Sequence, residues 1–372
     1  MLWRNLRRML NDTMSKILFL SNGHGEDLIS FRILTELQKI LSDDSFYVLP
    51  MVGEGGAFSA LTGINIIGPQ KETSSGGFVK NILSLVKDLS SGILSLHFKQ
   101  IKNASKIKYD LVVCVGDFLP FILSYLFLKY KKIVFISTAK SDFFEPHFWI
   151  ERYFFKKSKT KVLARDSVTA ENLVARGVNA EYFGNVMMDG FKIKRLPKTD
   201  QNQFIVGVLP GSRREAYINY SLIKEVILNL PDEWVYQVAV PNNLDKNKFQ
   251  IEDKKDFIKM VKFENMLKEA DIVLGLAGTA NEQVIGFGIP LFTFRGYGPQ
   301  TTRKRFLDQK KLLGNLPEFI DSQDSEVIAK LIKQKVKDRD FFERVRVDGI
   351  KVMGSSGAAE RISKELAVLL KS

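Results

Sequence analysis

The chain has 372 residues, 45% hydrophobic and 26% charged, a balance that builds full cores and excludes a disordered chain or a disulfide-stapled miniprotein. Its 55 Lys and Arg against 42 Asp and Glu leave a net charge of +13, which favours anionic partners: phosphorylated substrates, acidic lipid or nucleic acid. The single cysteine, Cys114, excludes an intrachain disulfide, and three histidines (His24, His97, His147) exclude a His-rich metal site, so a cytoplasmic protein of two domains is expected.

Met1 to Thr13 carries Arg4, Arg7 and Arg8 among apolar residues but lacks the apolar core of a secretory signal, and Met14 reads as the true start. Lys16–Ser21 reads as a strand, Asn22–Asp27 as a glycine-rich turn, and Leu28–Leu41 as a helix by its apolar spacing. Phe46–Val52 and Ile64–Ile67 read as further strands. Phe78–Lys108 is amphipathic, with six lysines against Asp88, a pattern suited to an anionic membrane surface. Its plainer reading is a core-facing helix with a solvated lysine face. Asp110–Val115, Ile133–Ile136, Lys161–Ala164 and Ala180–Phe183 complete a first set of strands. The longest apolar run, Phe118–Leu128, is too short to span a bilayer, which takes ~20 residues.

The polar stretch Lys192–Gln203 with Pro197 reads as a linker. Strands then resume at Phe204–Leu209, Trp234–Val240, Asp271–Gly275 and Ile289–Phe294, and a final amphipathic helix runs from about Gly357 to Leu370. Uninterrupted apolar strands alternating with helices predict parallel sheets covered on both faces. The fold class is therefore α/β: two doubly wound domains facing a cleft.

Ligands of such sheets bind beyond the carboxyl ends of the strands, which directs attention to five loops. Gly211, Ser212 and Arg213 follow one strand. Glycine lets a phosphate approach the backbone, and the next helix start and the guanidinium favour anions. Gly278, Thr279 and Ala280 open a second helix in the same half, and Glu282 or Gln283 within it suits a ribose hydroxyl. Gly296–Gln300 ends another strand. Neither glycine loop fits a P-loop or the spaced dinucleotide glycines. In the first half, Asp117 is a candidate base or a plain helix cap, and His24 is a second base candidate. Gly25, Asp27 and Lys140 lie in loops of the same half. Asp338-Arg339-Asp340 resembles a metal motif but does not follow a strand, so no metal and no cofactor are expected. No recognition helix or aromatic RNA-binding pattern is present, so nucleic acid is not the expected partner.

The segments LPGSRRE (Leu209–Glu215), AGTANEQ (Ala277–Gln283), FGNVMMDG (Phe183–Gly190), GHGEDL (Gly23–Leu28) and STAKSD (Ser137–Asp142) resemble lipid-A-disaccharide synthase and its related branch. The resemblance covers most of the chain from Met14. It implies the GT-B fold: Rossmann-like domains over 14–195, binding acceptor, and 204–345, binding donor, with residues 346–372 crossing back to the first. It also implies an inverting, metal-independent glycosyltransferase, peripheral on the cytoplasmic face of a membrane, with a UDP-sugar donor and a lipid acceptor. Gly211, Ser212, Arg213, Gly278, Thr279, Ala280, Glu282, Gln283 and Gln300 would hold the donor, and Asp117 or His24 would be the base. Gln283 stands where the family has a ribose-binding glutamate, GHGED replaces the usual GExSGD, and Asp117 stands alone where the family has paired aspartates. The alternatives are a UDP-sugar 2-epimerase, disfavoured because only His24 is well placed for it, and a non-catalytic nucleotide-sugar-binding protein.

Overall fold

A computed structural model describes residues 14–68, 93–191, 193, 203–212, 214–241, 244–249, 258–298 and 301–372. The chain divides into two compact units, one comprising residues up to Asp189 together with Gly357–Ser372, the other Gly190–Ser356.

The first unit runs β1 (Lys16–Ser21), α1 (His24–Ile40), β2 (Ser45–Pro50), β3 (Ile64–Ile66), α2 (Ile93–Ala104), β4 (Lys108–Gly116), α3 (Phe118–Phe127), β5 (Lys129–Ser137), α4 (Trp149–Lys157), β6 (Lys161–Leu163), α5 (Ser167–Ala175) and β7 (Ala180–Glu181). Its strands form one parallel sheet in the order β3-β2-β1-β4-β5-β6-β7. Side chains alternate across the sheet. Ile17, Phe19, Val113 and Val115 enter the core layer shared with α1, while Leu18, Leu20, Val112 and Cys114 enter the layer holding Phe121 and Phe155. Burial on both faces is why these strands read as continuous apolar runs.

The second unit runs β8 (Ile205–Leu209), α6 (Ala216–Leu228), β9 (Val235–Ala239), β10 (Ile258–Val261), α7 (Phe263–Glu269), β11 (Ile272–Gly275), α8 (Thr279–Gly286), β12 (Leu291–Phe294), α9 (Arg303–Leu313), β13 (Glu318–Ile320), α10 (Ser325–Lys335) and α11 (Arg339–Met353). Its parallel sheet has the order β10-β9-β8-β11-β12-β13. Strands β10 and β13 are short edges that the sequence pattern did not show. Asp338, part of the apparent metal motif, caps α11 by accepting from Phe341 N at 2.9 Å.

The last helix, α12 (Ala358–Lys371), belongs to the first unit. Its Ala358, Ile362 and Leu366 join the core layer beside α1, and Ser363 Oγ donates to the Ile33 carbonyl at 2.8 Å. Arg361 Nε donates to the Phe183 carbonyl. The helix start is capped from a distant position: the buried Asp189 carboxylate accepts from Gly357 N at 2.5 Å, Ala358 N at 3.3 Å and Ala359 N at 2.6 Å.

Two expectations are corrected. The segment Asn22–Asp27 is not a turn preceding a helix; only Asn22 and Gly23 lie outside α1, and His24 to Asp27 form its first turn. The amphipathic stretch from Phe78 lies outside the described residues as far as residue 92. From Ile93 it is the helix α2, which ends at Ala104, after which Lys108 starts β4.

Removing the Asp189 carboxylate strands the amides that open α12. Asp189→Ala is expected to destabilise the fold by about 2 kcal/mol, as lost charged caps do. Urea unfolding measures it, and an unchanged midpoint would show that α12 is held by packing alone.

Candidate active site

Each sheet reverses its strand order once, between β1 and β4 in the first unit and between β8 and β11 in the second. Chains leaving neighbouring strands at such a reversal turn to opposite faces, and ligands of open α/β sheets bind there.

In the first unit, β1 and β4 pair Ser21 with Val115, which brings Asn22 beside Gly116. Gly116 has φ +137°, and a Cβ there would fall 1.9 Å from Asn22 Oδ1. Only glycine allows this approach. The Asn22 amide then bonds the Asp117 carboxylate, which also accepts from Leu119 N at 2.9 Å and caps α3. Asp117 is thus a helix cap, one of its two sequence readings, and it stays partly open at the sheet reversal. Burial raises its pKa to about 6. The bonds from Leu119 and Asn22 oppose that rise, while the negative charges of Glu26 and Glu151 add to it.

Those two carboxylates arrive from different elements. Glu26, in the first turn of α1, accepts from Thr138 Oγ1 at 3.1 Å just beyond β5. Glu151, in the first turn of α4, is buried and accepts from Phe148 N at 3.0 Å, closing the start of its own helix. Glu151 also binds His147 Nδ1 at 2.9 Å and pairs with Lys140 Nζ at 3.1 Å. Burial pushes the Glu151 carboxyl up, but the His147 bond and the Lys140 charge outweigh it and hold it below the usual range. With its Nδ1–H given to Glu151, His147 presents Nε2 to Ser137 Oγ at 3.1 Å. Ser137, His147 and Glu151 are all buried at the end of β5.

The other first-half candidates divide. Lys140 is drawn into this network and sits 3.6 Å from the centre of the Phe148 ring. Asp27 is buried, accepting from Ser21 Oγ at 2.5 Å. Gly25 is exposed in α1 with open space around it. His24 is the first residue of α1, and its side chain lies outside the described residues.

In the second unit, Gly211 (φ +112°) follows β8 and lies against the Leu276 carbonyl beyond β11, where a Cβ would come within 3.3 Å. Leu276 N donates to Leu209 O at 2.8 Å, fixing the two loops side by side. Ser212 comes next, and Arg213 lies outside the described residues, as does Gln300. Gly278 caps α8, whose first residues are Thr279 and Ala280. Asn219 of α6 clasps the loop after β12, donating to Tyr297 O at 3.1 Å and accepting from Tyr297 N at 2.7 Å. Glu282 and Gln283 are buried, and Glu282 pairs with Arg305 of α9 at 3.3 Å. Among the described residues, no three Asp, Glu, His or Cys side chains are grouped to hold a metal ion.

Sequence reasoning missed Asn22 and Glu26 at the first reversal, Thr138, His147 and Glu151 beside it at the end of β5, and Asn219 and Arg305 in the second unit. The i, i+4 spacing of His147 and Glu151 was a signal for one pair.

No protein-family model matches the sequence, and no curated protein matches it. Solved structures do match nearly all of it. CalG4, the calicheamicin glycosyltransferase, is similar at 15% identity and a TM-score of 0.64, over 96% of this chain and 99% of that one. UGT71G1 of Medicago truncatula, solved with UDP-glucose, is similar at 13% identity and a TM-score of 0.59, over 96% and 98%. A putative UDP-N-acetylglucosamine 2-epimerase from Listeria monocytogenes is similar at 13% identity and a TM-score of 0.57, over 96% and 97%. The chain has the GT-B fold.

The acidity of Asp117 has a consequence for stability. Its carboxyl has a higher pKa folded, about 6, than the ordinary 3.8. Its contribution therefore favours the folded state at low pH and is lost as pH rises through about 6. Asp117→Asn keeps a capping side chain and removes that titration. Relative to the unaltered protein, the variant should gain stability between about pH 4 and about pH 7. Urea midpoints at both pH values check this, and an equal difference at the two would exclude a raised pKa.

Proposed function

We propose that the protein is an inverting, metal-independent glycosyltransferase that moves a sugar from a UDP-sugar to a lipid-linked acceptor, in the manner of lipid-A-disaccharide synthase. The second unit takes the donor. Its diphosphate would meet the amide groups around Gly211 and Ser212 and the start of α8 at Gly278, Thr279 and Ala280, with Arg213 supplying a guanidinium. Gln283, Glu282 and Gln300 would meet the nucleoside. The first unit takes the acceptor near Asp117, with Lys140 and the α1 start, including Gly25 and Asp27, as its surroundings. The protein works as a peripheral enzyme on the cytoplasmic face of an anionic membrane.

The observation that carries this reading is Asp117 itself: a carboxyl at the sheet reversal, with a pKa near 6 that suits proton transfer close to neutral pH. Asp117 takes the proton of the acceptor hydroxyl as its oxygen bonds to the anomeric carbon. The bond from that carbon to the phosphate oxygen breaks, and UDP leaves with the electron pair. Attack from the face opposite the phosphate inverts the configuration. Glu26 and Glu151 keep Asp117 basic enough for its task. His24 remains the second candidate base. Solved structures of similar fold include the calicheamicin glycosyltransferase, the glycotransferase of kitacinnamycin and UGT71G1 solved with UDP-glucose, which supports the class.

A second reading, a UDP-sugar 2-epimerase, has one observation in its favour. Sequence reasoning counted His24 as the only well-placed histidine, yet Glu26, Asp117, Glu151 and His147 lie around the ends of β4 and β5 in the first unit. Epimerases occur among the similar folds as well.

UDP release from UDP-sugars, with and without membrane lipid, separates the readings. The transferase releases UDP only when lipid is present and keeps its rate in EDTA. Interconversion of the sugar without lipid would establish the epimerase, and tight UDP binding without turnover a binding protein. Asp117→Asn should lower kcat by roughly 10²- to 10⁴-fold and leave UDP binding nearly intact. Unaltered turnover would remove Asp117 from the base role and leave His24.

A further inference from the structure

Helix α4 presents an unusual outer face. Phe148, its cap residue, is 59% exposed, Trp149 72%, Ile150 44% and Tyr153 49%. These residues are side by side on the first turns of one helix, and large apolar groups gathered in this way mark an interaction surface. The inner face of the same helix is fully engaged, with Phe155 buried against Phe121 and Phe135. The outer aromatics are therefore surplus to the core.

The exposed charges carried by α4 itself have one sign, although the exposed Glu145 lies 3.9 Å from Lys140 near Phe148. Lys156 and Lys157 follow on the next turn, both exposed, and Lys157 Nζ lies 5.7 Å from the centre of the Tyr153 ring. The only carboxylate of α4, Glu151, points inward to His147 and Lys140. Trp and Tyr with flanking lysines is the composition that settles at the boundary between headgroups and acyl chains of an anionic bilayer. An acidic protein could pair with the lysines, but the boundary of an anionic bilayer takes the indole, the isoleucine and the lysines together.

Position supplies the second argument. Phe148 lies over Lys140, and Glu151 faces Asp117 electrostatically, so the aromatic edge begins at the end of the sheet that holds the candidate base. A lipid-linked headgroup presented at that edge would enter the first unit at Asp117 without leaving the membrane surface.

We propose that the outer face of α4, with Trp149, Ile150 and Tyr153 flanked by Lys156 and Lys157, is the surface on which the first unit rests on an anionic lipid bilayer. It differs from the surface expected from sequence, the lysine-rich stretch beginning at Phe78. It rests on the lipid-acceptor reading above for its purpose, but its physical content is separate. Among the described residues no helix is long and apolar enough to cross a membrane, so insertion would be shallow.

Sedimentation of the full chain with vesicles of phosphatidylcholine, with and without phosphatidylglycerol, tests it. The protein should bind the vesicles that contain phosphatidylglycerol, and added salt should weaken that binding. The double substitution Trp149→Ser with Tyr153→Ser should reduce it by about tenfold, as should Lys156→Glu with Lys157→Glu. Val368→Ser, on the exposed face of α12, should leave it unaltered. An unshifted unfolding midpoint shows that each variant is folded. The proposal is overturned if the unaltered protein ignores these vesicles, if the serine variant binds as tightly as the parent, or if the face proves to join two copies of the chain. UDP binding is measured on the same samples. Retained UDP binding with unaltered vesicle binding in the serine variant removes this surface alone. Lost UDP-sugar chemistry with intact, α4-dependent vesicle binding removes the transferase reading alone.

Discussion

Parallel pairing is the constraint from which the candidate site follows. When every strand of a sheet points one way, every strand ends on the same edge, and the loops that follow all emerge there. Where the order of strands reverses, neighbouring loops part to opposite faces. Asn22, Gly116 and Asp117 stand at one such parting, and Gly211, Leu276 and Gly278 at the other. A catalytic or binding group needs both access and a rigid mount. Residues within one or two positions of a buried strand have the second, and the reversal supplies the first.

The chemistry at Asp117 is set by competition among neighbours. Burial alone would make the carboxyl a weak acid, and two donors from Asn22 and Leu119 would make it a strong one. Burial prevails; the charge of Glu26 adds to it, and Glu151, which stays ionised, adds the smallest share. Its charge is held by His147 and Lys140, which neutralise it locally without removing its influence on Asp117. The buried chain from Ser137 through His147 to Glu151 thus acts as a fixed negative post. It also ties the start of α4 to the end of β5, so the electrostatic and mechanical roles lie in the same bonds.

Much of the architecture was legible because burial on both faces leaves an unmistakable mark. Ile17–Leu20 and Ile205–Leu209 are apolar throughout, and glycines at Gly116, Gly211 and Gly278 mark the strand ends. What escaped was whatever depends on partners distant in sequence. Strands β10 and β13 are short and half-exposed, with no apolar run to betray them. The start of β5, Lys129 to Lys132, looks like a charged surface loop, but it pairs in register with Lys108 to Leu111. Asp117 could be singled out from its place after DLVVCVG. The contacts that tune it could not, because Glu26, Thr138 and Glu151 are brought to it by three different elements. Glu282 shows the same limit from the other side: its place in a first helical turn gave no sign of the buried ion pair it makes with Arg305 from α9.

The placement of α12 bears on how such a chain is made. Its apolar stripe lies beside α1, near the opposite terminus, and its start is anchored by Asp189. During synthesis the body of the first unit emerges early, yet one side of its interior stays open to water until α12 has followed the second unit out of the ribosome. The second unit has all its own strands by then and is free to close first. Ribosomes that stop short of the last helix would release a product whose leading half still exposes oil-like surface, a natural target for chaperones and proteases.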